Sequence, residues 1–255
     1  MKTSTTRNNK TIEKICAVVI ALLVWHMVAT ALGQEILLVS PIRVIQQLSV
    51  LCVEKQFWQS VGFTLGRIVV GFLTALVLGT ILGIIAARVH TVEVLLWPYV
   101  AVIKASPVAS FIILCLIWTG SENLSVIISF LIVLPVVYTN ILQGMKATDE
   151  KILEMAKVYE LGTWKCIKYI YIPGLKPYFT AACSIAVGMS WKSGTAAEVI
   201  GIPGGSIGEK LYKAKVYLSS ADLLAWTVTI IVISVLCEKL VLWLVNRFYV
   251  MWEKR

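Results

Sequence analysis

Six stretches of this chain are too long and too apolar to be folded away inside 255 residues. The clearest, Ile15–Leu32, runs without one Asp, Glu, Lys or Arg. A helix of about 20 apolar residues crosses the roughly 30 Å hydrocarbon core of a bilayer. Five more runs follow at approximately 61–87, 94–118, 124–142, 179–197 and 223–245. Composition agrees: 58% of residues are hydrophobic and 15% charged, against roughly 45–50% and about 25% in soluble domains. Mean hydropathy is +0.84. The expected fold is therefore all-α, a polytopic membrane protein with six transmembrane helices. A secretory leader competes for the first run, since Ala29–Ala31 (ATA) resembles a cleavage site. That run outlasts the roughly 7–15 apolar residues of a leader's core, so we read it as an uncleaved span.

The rest of the organisation follows. Residues 1–14 form an N-terminal tail, 15–247 a single transmembrane domain and 248–255 a C-terminal tail. Between the first two spans, the apolar positions of GQEILLVSPIRVIQQLSVLCVEKQFWQS recur at helical spacing, predicting an amphipathic outer helix along the bilayer surface. In the second run, Gly62/Gly66 and Gly79/Gly83 are spaced for close helix approach. Pro107 and Pro135 predict kinks in the third and fourth spans.

Charge sets the orientation. With an even number of spans both termini share a side. That side also carries Arg88, the lysines of the loop at 146–178, and Arg247, Lys254 and Arg255. The opposite side has Arg43, Lys55, Lys210, Lys213 and Lys215 at most. Positive residues collect on cytoplasmic loops, which puts both termini and the 146–178 loop in the cytoplasm. The same rule accounts for the net charge of +9 without a nucleic-acid partner. The six cysteines are scattered without a CxxC pair, and the two histidines, His26 and His90, stand far apart. Neither pattern points to a metal or a cofactor. Without clustered His, Asp, Glu or Ser groups at one depth, a membrane-embedded enzyme is disfavoured.

The 146–178 loop is charged where its surroundings are oily. Thr148 or Asp149 can cap a helix whose apolar stripe is Ile152, Met155, Ala156 and Tyr159. Thr163 can cap a second short helix through Tyr171, Pro173-Gly174 should break the chain, and Pro177 can open the fifth span. A short amphipathic helix in the cytoplasm either docks in a partner's groove or lies on the headgroups. The residues alone do not choose between these.

This loop resembles the EAA loop of bacterial ABC importer permeases, E-A-A-x3-G-x9-I-x-L-P. Glu154, Met155 and Ala156 occupy the first three positions. Ile170 and Pro173 stand at the matching offsets, with Ile172 for the leucine. Glu160 replaces the motif glycine, while Gly162 follows two residues later, so the bend must be made differently. SVGFTLGRIVVGF (60–72), IKASPVASFIILCLIWTG (103–120), Trp191 with Ala197 and Glu198, and GIPGGSIG are similar to segments of the nitrate/sulfonate/taurine group of these permeases. The glycine-rich GIPGGSIG lacks the lysine of a nucleotide loop and is read as a tight turn.

The resemblance implies a permease subunit in a bacterial plasma membrane. It implies a second permease copy, two cytoplasmic ABC ATPase subunits and an extracytoplasmic solute-binding protein as partners. Glu154, Met155, Ala156, Tyr159, Glu160, Gly162, Ile170 and Pro173 would couple to the ATPase, and ATP hydrolysis would reside there, the permease itself being no enzyme. The cargo implied is a small anionic or vitamin-precursor-like solute. Intramembrane charges usually face a cavity or a partner, which nominates Arg67, Lys104 and Lys192. Lys192 either attracts an anion or pairs with Glu198 or Glu122. The pathway candidates are Lys104, Ser106, Trp191, Lys192, Ser193 and Glu198. The main alternative is a channel or secondary transporter that needs no ATPase, which would leave the Glu154–Pro173 spacing unexplained.

Overall fold

The computed structural model describes residues 5–34 and 36–253. Every regular element among them is helical: α1 (Thr5–Leu32), α2 (Pro41–Val53), α3 (Lys55–Arg88), α4 (His90–Ala105), α5 (Val108–Thr119), α6 (Leu124–Lys146), α7 (Glu150–Val158), α8 (Thr163–Cys166), a π-helical turn (Ile167–Tyr171), α9 (Ile172–Gly201), α10 (Ile207–Val216) and α11 (Ser220–Glu253). The tail read as 1–14 is helical from Thr5 onward. Residues 1–4, and Lys254 and Arg255 of the C-terminal tail, lie outside the described residues.

Among the described residues, four helices are long and apolar enough to cross a membrane: Ile15–Leu32, Lys55–Arg88, Leu124–Lys146 and Ser220–Trp252. A fifth is added if α4 and α5, bent by 105° at their junction, count as one. The kink expected in the third span is thus a full break. Ser106 and Pro107 are both extended, because proline forbids helical geometry at the residue before it and lacks the N–H the turn needs. At Pro135 the expected kink leaves α6 helical throughout, and Thr139 Oγ1 donates to the Pro135 carbonyl at 2.6 Å.

The break expected at Pro173-Gly174 is absent. The chain runs helically from Thr163 to Gly201. In the preceding turn Ile172 N–H reaches back five residues to the Ile167 carbonyl. This wider π turn precedes Pro173 in the first turn of α9, where its missing N–H costs little.

The chain divides into two compact units. In the first (Met1–Gln59 with Lys210–Thr229), Val39, Val44 and Ala225 form a small core flanked by Trp25, Leu48 and Leu224. Phe57 and Trp226 pack with ring centres 4.9 Å apart. Gln47 Nε2 donates to Asp222 at 2.6 Å, tying α2 to the start of α11. The second (Ser60–Glu209 with Ile230–Arg255) holds the main core: Ile68, Phe72, Val133, Val137, Ile141, Ala186, Val187 and Trp191. Its most extensive helix pairing is α6 with α9. Close approach requires glycine at several points. A Cβ on Gly71 would strike the Val126 carbonyl oxygen, and one on Gly83 would sit 2.8 Å from Ile141.

Candidate functional site

The loop between α6 and α9 begins with a cap and ends with a bend. Asp149 is the N-cap of α7, its carboxylate accepting from Lys151 N–H at 2.9 Å. At the far end Leu161 N–H donates to the Ala156 carbonyl at 2.9 Å and Glu160 N–H to Lys157 at 3.0 Å. Glu160 sits between them at φ 51°. This is the left-handed termination that glycine usually supplies. For a side-chain-bearing residue the left-handed region costs roughly 1–2 kcal/mol. The motif's bend is therefore made at the motif's position, by a glutamate under strain. Gly162 does not take it over: at φ −59° it is the N-cap of α8. Thr163, expected as that cap, is the first helical residue.

Of the predicted stripe on α7, only Ala156 is buried, at 3% exposure. Met155 and Ile152 are exposed, and Val158 and Tyr159 stand 80% and 72% open. Trp164, one helix further on, is also exposed. Glu154 lies on the surface beside Met155, Ile170 is half-buried and Pro173 is exposed. α7 thus uses one small residue to seat itself and leaves its large apolar side chains without cover from the chain. Sequence spacing had found the stripe. It had not found Val158 or Trp164, which fall off that period.

The intramembrane candidates separate. Val108, Ile132, Met189, Lys192, Ser193 and Ala196 line an open apolar groove of about 280 Å³, in which Lys192 is the one charged side chain. Ser106 stands at the α4–α5 break, two residues before Val108 in sequence. Lys104 donates to Thr139 Oγ1 at 2.8 Å. Trp191 is not in the groove: at 2% exposure it packs with Ile68, Phe72 and Val137 in the main core. Arg67 stacks over the Phe63 ring at 3.7 Å. Glu198 is wholly buried. Its Oε2 accepts from Thr64 Oγ1 at 2.8 Å and from Gly208 N–H at 3.3 Å, not from Lys192. Thr64 went unnoticed as its partner in the sequence, since nothing local marks a partner 134 residues away.

The glycine-rich stretch is a turn, as expected. Ile202 and Gly205 are left-handed. Ser206 Oγ accepts from Glu209 N–H at 2.9 Å, and Glu209 reaches back to Gly205 N–H at 2.6 Å. This pair of side chain–backbone bonds resembles a capping box and starts α10.

A bundle of long apolar helices, one of them broken at a proline, with a short amphipathic helix left open in a charged loop, defines a polytopic helical membrane protein. Sequence comparison takes the next step. Residues 79–249 match the model of the binding-protein-dependent transport system inner membrane component, and the chain belongs to that family. Its relatives include the taurine transport system permease protein of Escherichia coli, 25% identical over 86% of this chain and 82% of the relative. A putative aliphatic sulfonates transport permease protein of Bacillus subtilis is 24% identical, over 88% and 81%. A nitrate import permease protein of Synechococcus elongatus is 25% identical, over 73% and 70%. The family is one of transport components of the inner membrane rather than of enzymes.

Proposed function

We propose that the chain is the permease subunit of an ATP-driven importer, working with two ATPase subunits, a second permease and an extracytoplasmic binding protein. One observation carries the reading. α7 exposes Met155, Val158 and Tyr159 in a loop whose Glu154-to-Pro173 spacing fits the coupling loop of such permeases. An amphipathic helix with uncovered apolar side chains calls for a groove, and an ATPase cleft is one. Glu154, Met155, Ala156, Tyr159, Glu160 and Gly162 form the docking end, while Ile170 and Pro173 lead into α9. ATP-driven closure of the ATPase pair would move α7 and, through the bend at Glu160 and the helix that runs unbroken from Thr163, α9. Differential contact of ATP with the two states supplies the bias.

In this reading the permease has six spans, α9 counting as the fifth despite its lower apolarity, and both termini are cytoplasmic. Lys192 and Ser193 in the groove, with Ser106 and Lys104 near the α4–α5 break, form the solute path. A lone lysine in an apolar groove suits a small anion. The names of the relatives, transporters of taurine, sulfonates, nitrate and bicarbonate, lean the same way. Trp191 and Glu198 support the path from behind.

The test is capture of ATPases encoded in the same genome by the detergent-solubilised chain, wild type against Glu154→Arg. Capture by the wild type, reduced at least about tenfold in the variant by a misplaced charge at a docking surface, is the expected result. If the wild type captures no ATPase, the ATPase-independent channel or secondary transporter takes its place.

A further inference from the structure

The buried polar group around Glu198 does more than fill space. It joins three elements. Thr64 Oγ1 on α3 donates to Glu198 on α9 and accepts from Ile207 N–H at 3.0 Å, while Gly208 N–H donates to the same Glu198 oxygen. Ile207 and Gly208 open α10, so these are two of the helix's first N–H groups, which have no partner within the helix. The fit is close. A Cβ on Gly208 would collide with Glu198 Cβ and with the Glu198 and Val199 backbone. The turn at 202–206 is therefore docked on the groove helix α9 through one carboxylate oxygen and one hydroxyl.

The other half of the carboxylate is idle. Glu198 Oε1 is buried with no hydrogen-bond partner, and so is Ser125 Oγ on α6. Ser125 and Arg67 are both close enough to act on the Glu198 carboxylate. Arg67 Nη1 is likewise buried without a partner. Unpaired buried polar atoms are rare and costly. Here an unpaired carboxylate oxygen and an unpaired hydroxyl lie close to one another. The hydroxyl provides a second partner for a carboxylate that releases the first.

We propose that Thr64 and Glu198 form a releasable latch for the 202–209 turn, with Ser125 as the alternative seat of the Glu198 carboxylate. With Glu198 on Thr64 and Gly208, the turn is held against α9. With Glu198 on Ser125, Gly208 N–H and the Thr64 hydroxyl lose their acceptor, only the Ile207–Thr64 bond is left, and the turn is freer to lift. Glu198 is thus a positioning residue: it governs the end of the helix that carries Lys192 and Ser193 without touching the solute. Its bearing on transport rests on the pathway reading above. The latch itself does not.

Hydrogen exchange read by mass spectrometry on the full chain in lipid nanodiscs tests it, with no solute or ATPase present. Thr64→Val keeps volume and removes the hydroxyl, and Thr64→Ser keeps the hydroxyl and removes a methyl. The expected result is exchange of residues 203–209 about tenfold faster in Thr64→Val. Thr64→Ser should match the wild type, and Ser125→Ala should be slower than it. Peptides of α6 should not change. Wild-type exchange in Thr64→Val, equal acceleration in Thr64→Ser, or no slowing in Ser125→Ala each overturns the latch. If α6 also loosens in Thr64→Val, Glu198→Gln is read instead. It keeps the shape with a weaker, neutral acceptor and should accelerate the turn about threefold; no acceleration there overturns the proposal. Failure of the importer reading would appear separately, as absent ATPase capture.

Discussion

α1 and α9 are both long helices, yet they invert the rule that soluble proteins teach. The apolar run of α1 is almost wholly exposed: Val18, Ile20, Leu23 and Met27 all point away from the chain. α9 carries Ser190, Ser193, Thr195 and Glu198 and buries them, together with Ala182, Ala186, Gly194 and Trp191. Where the solvent is lipid, hydrophobicity no longer drives side chains inward, and packing of small residues and hydrogen bonds takes over. The apolar run of α1 is therefore left uncovered by the chain. The helix with serines, threonines and a glutamate is the one packed into the main core of its unit.

Substitutions separate the two regimes, read as thermal stability of the purified protein. The largest effect is expected from Trp191→Ala. It leaves a void among Ile68, Phe72 and Val137, and large-to-small changes of this kind cost about 3–5 kcal/mol. A destabilisation under about 1 kcal/mol would mean that α9 is not packed as a core helix. Gly194→Ala comes next. Its Cβ would lie 2.7 Å from Ser129 Oγ and 2.8 Å from Ile68 Cγ1, and overpacking costs typically about 1–3 kcal/mol. An unchanged or raised melting temperature would show that α3 and α6 can draw back. The smallest effect belongs to Leu23→Ala on α1, expected within about 0.5 kcal/mol, as for sites outside any packed contact. A loss near that of Gly194→Ala would mean that the exposed face of α1 is covered by another protein rather than by lipid.

The same contrast decides what could be read from the sequence. α1 ends at Leu32, where its apolar run ends, and α3, α6 and α11 each extend their runs by several residues of less apolar helix. Such runs announce themselves because lipid selects on composition alone. The 146–178 loop was legible in its cap at Asp149. Its bend was not, because no local pattern says that a glutamate will occupy a left-handed position. Proline was read too strongly at Pro173 and too weakly at Pro107. The same ring fits at the start of a helix and severs one where it and the residue before it are extended. Least legible was the inner polar network. Lys192 and Glu198, six residues apart on one helix, invited pairing. The partners of Glu198 come instead from α3 and α10, and only the folded chain brings them together.

The continuity of α9 with the helix that leaves the 146–178 loop at Thr163 has a mechanical meaning. Thirty residues of helix make a rod about 45 Å long. A rod of that length, pivoting by about 5° at its α7 end, carries its far end through about 4 Å. That distance is comparable to the width of a small anion. The turn docked at Glu198 rides on the end that travels farthest. Under the proposed function, a push too small to deform either helix would be geared up into a displacement large enough to admit or refuse a solute.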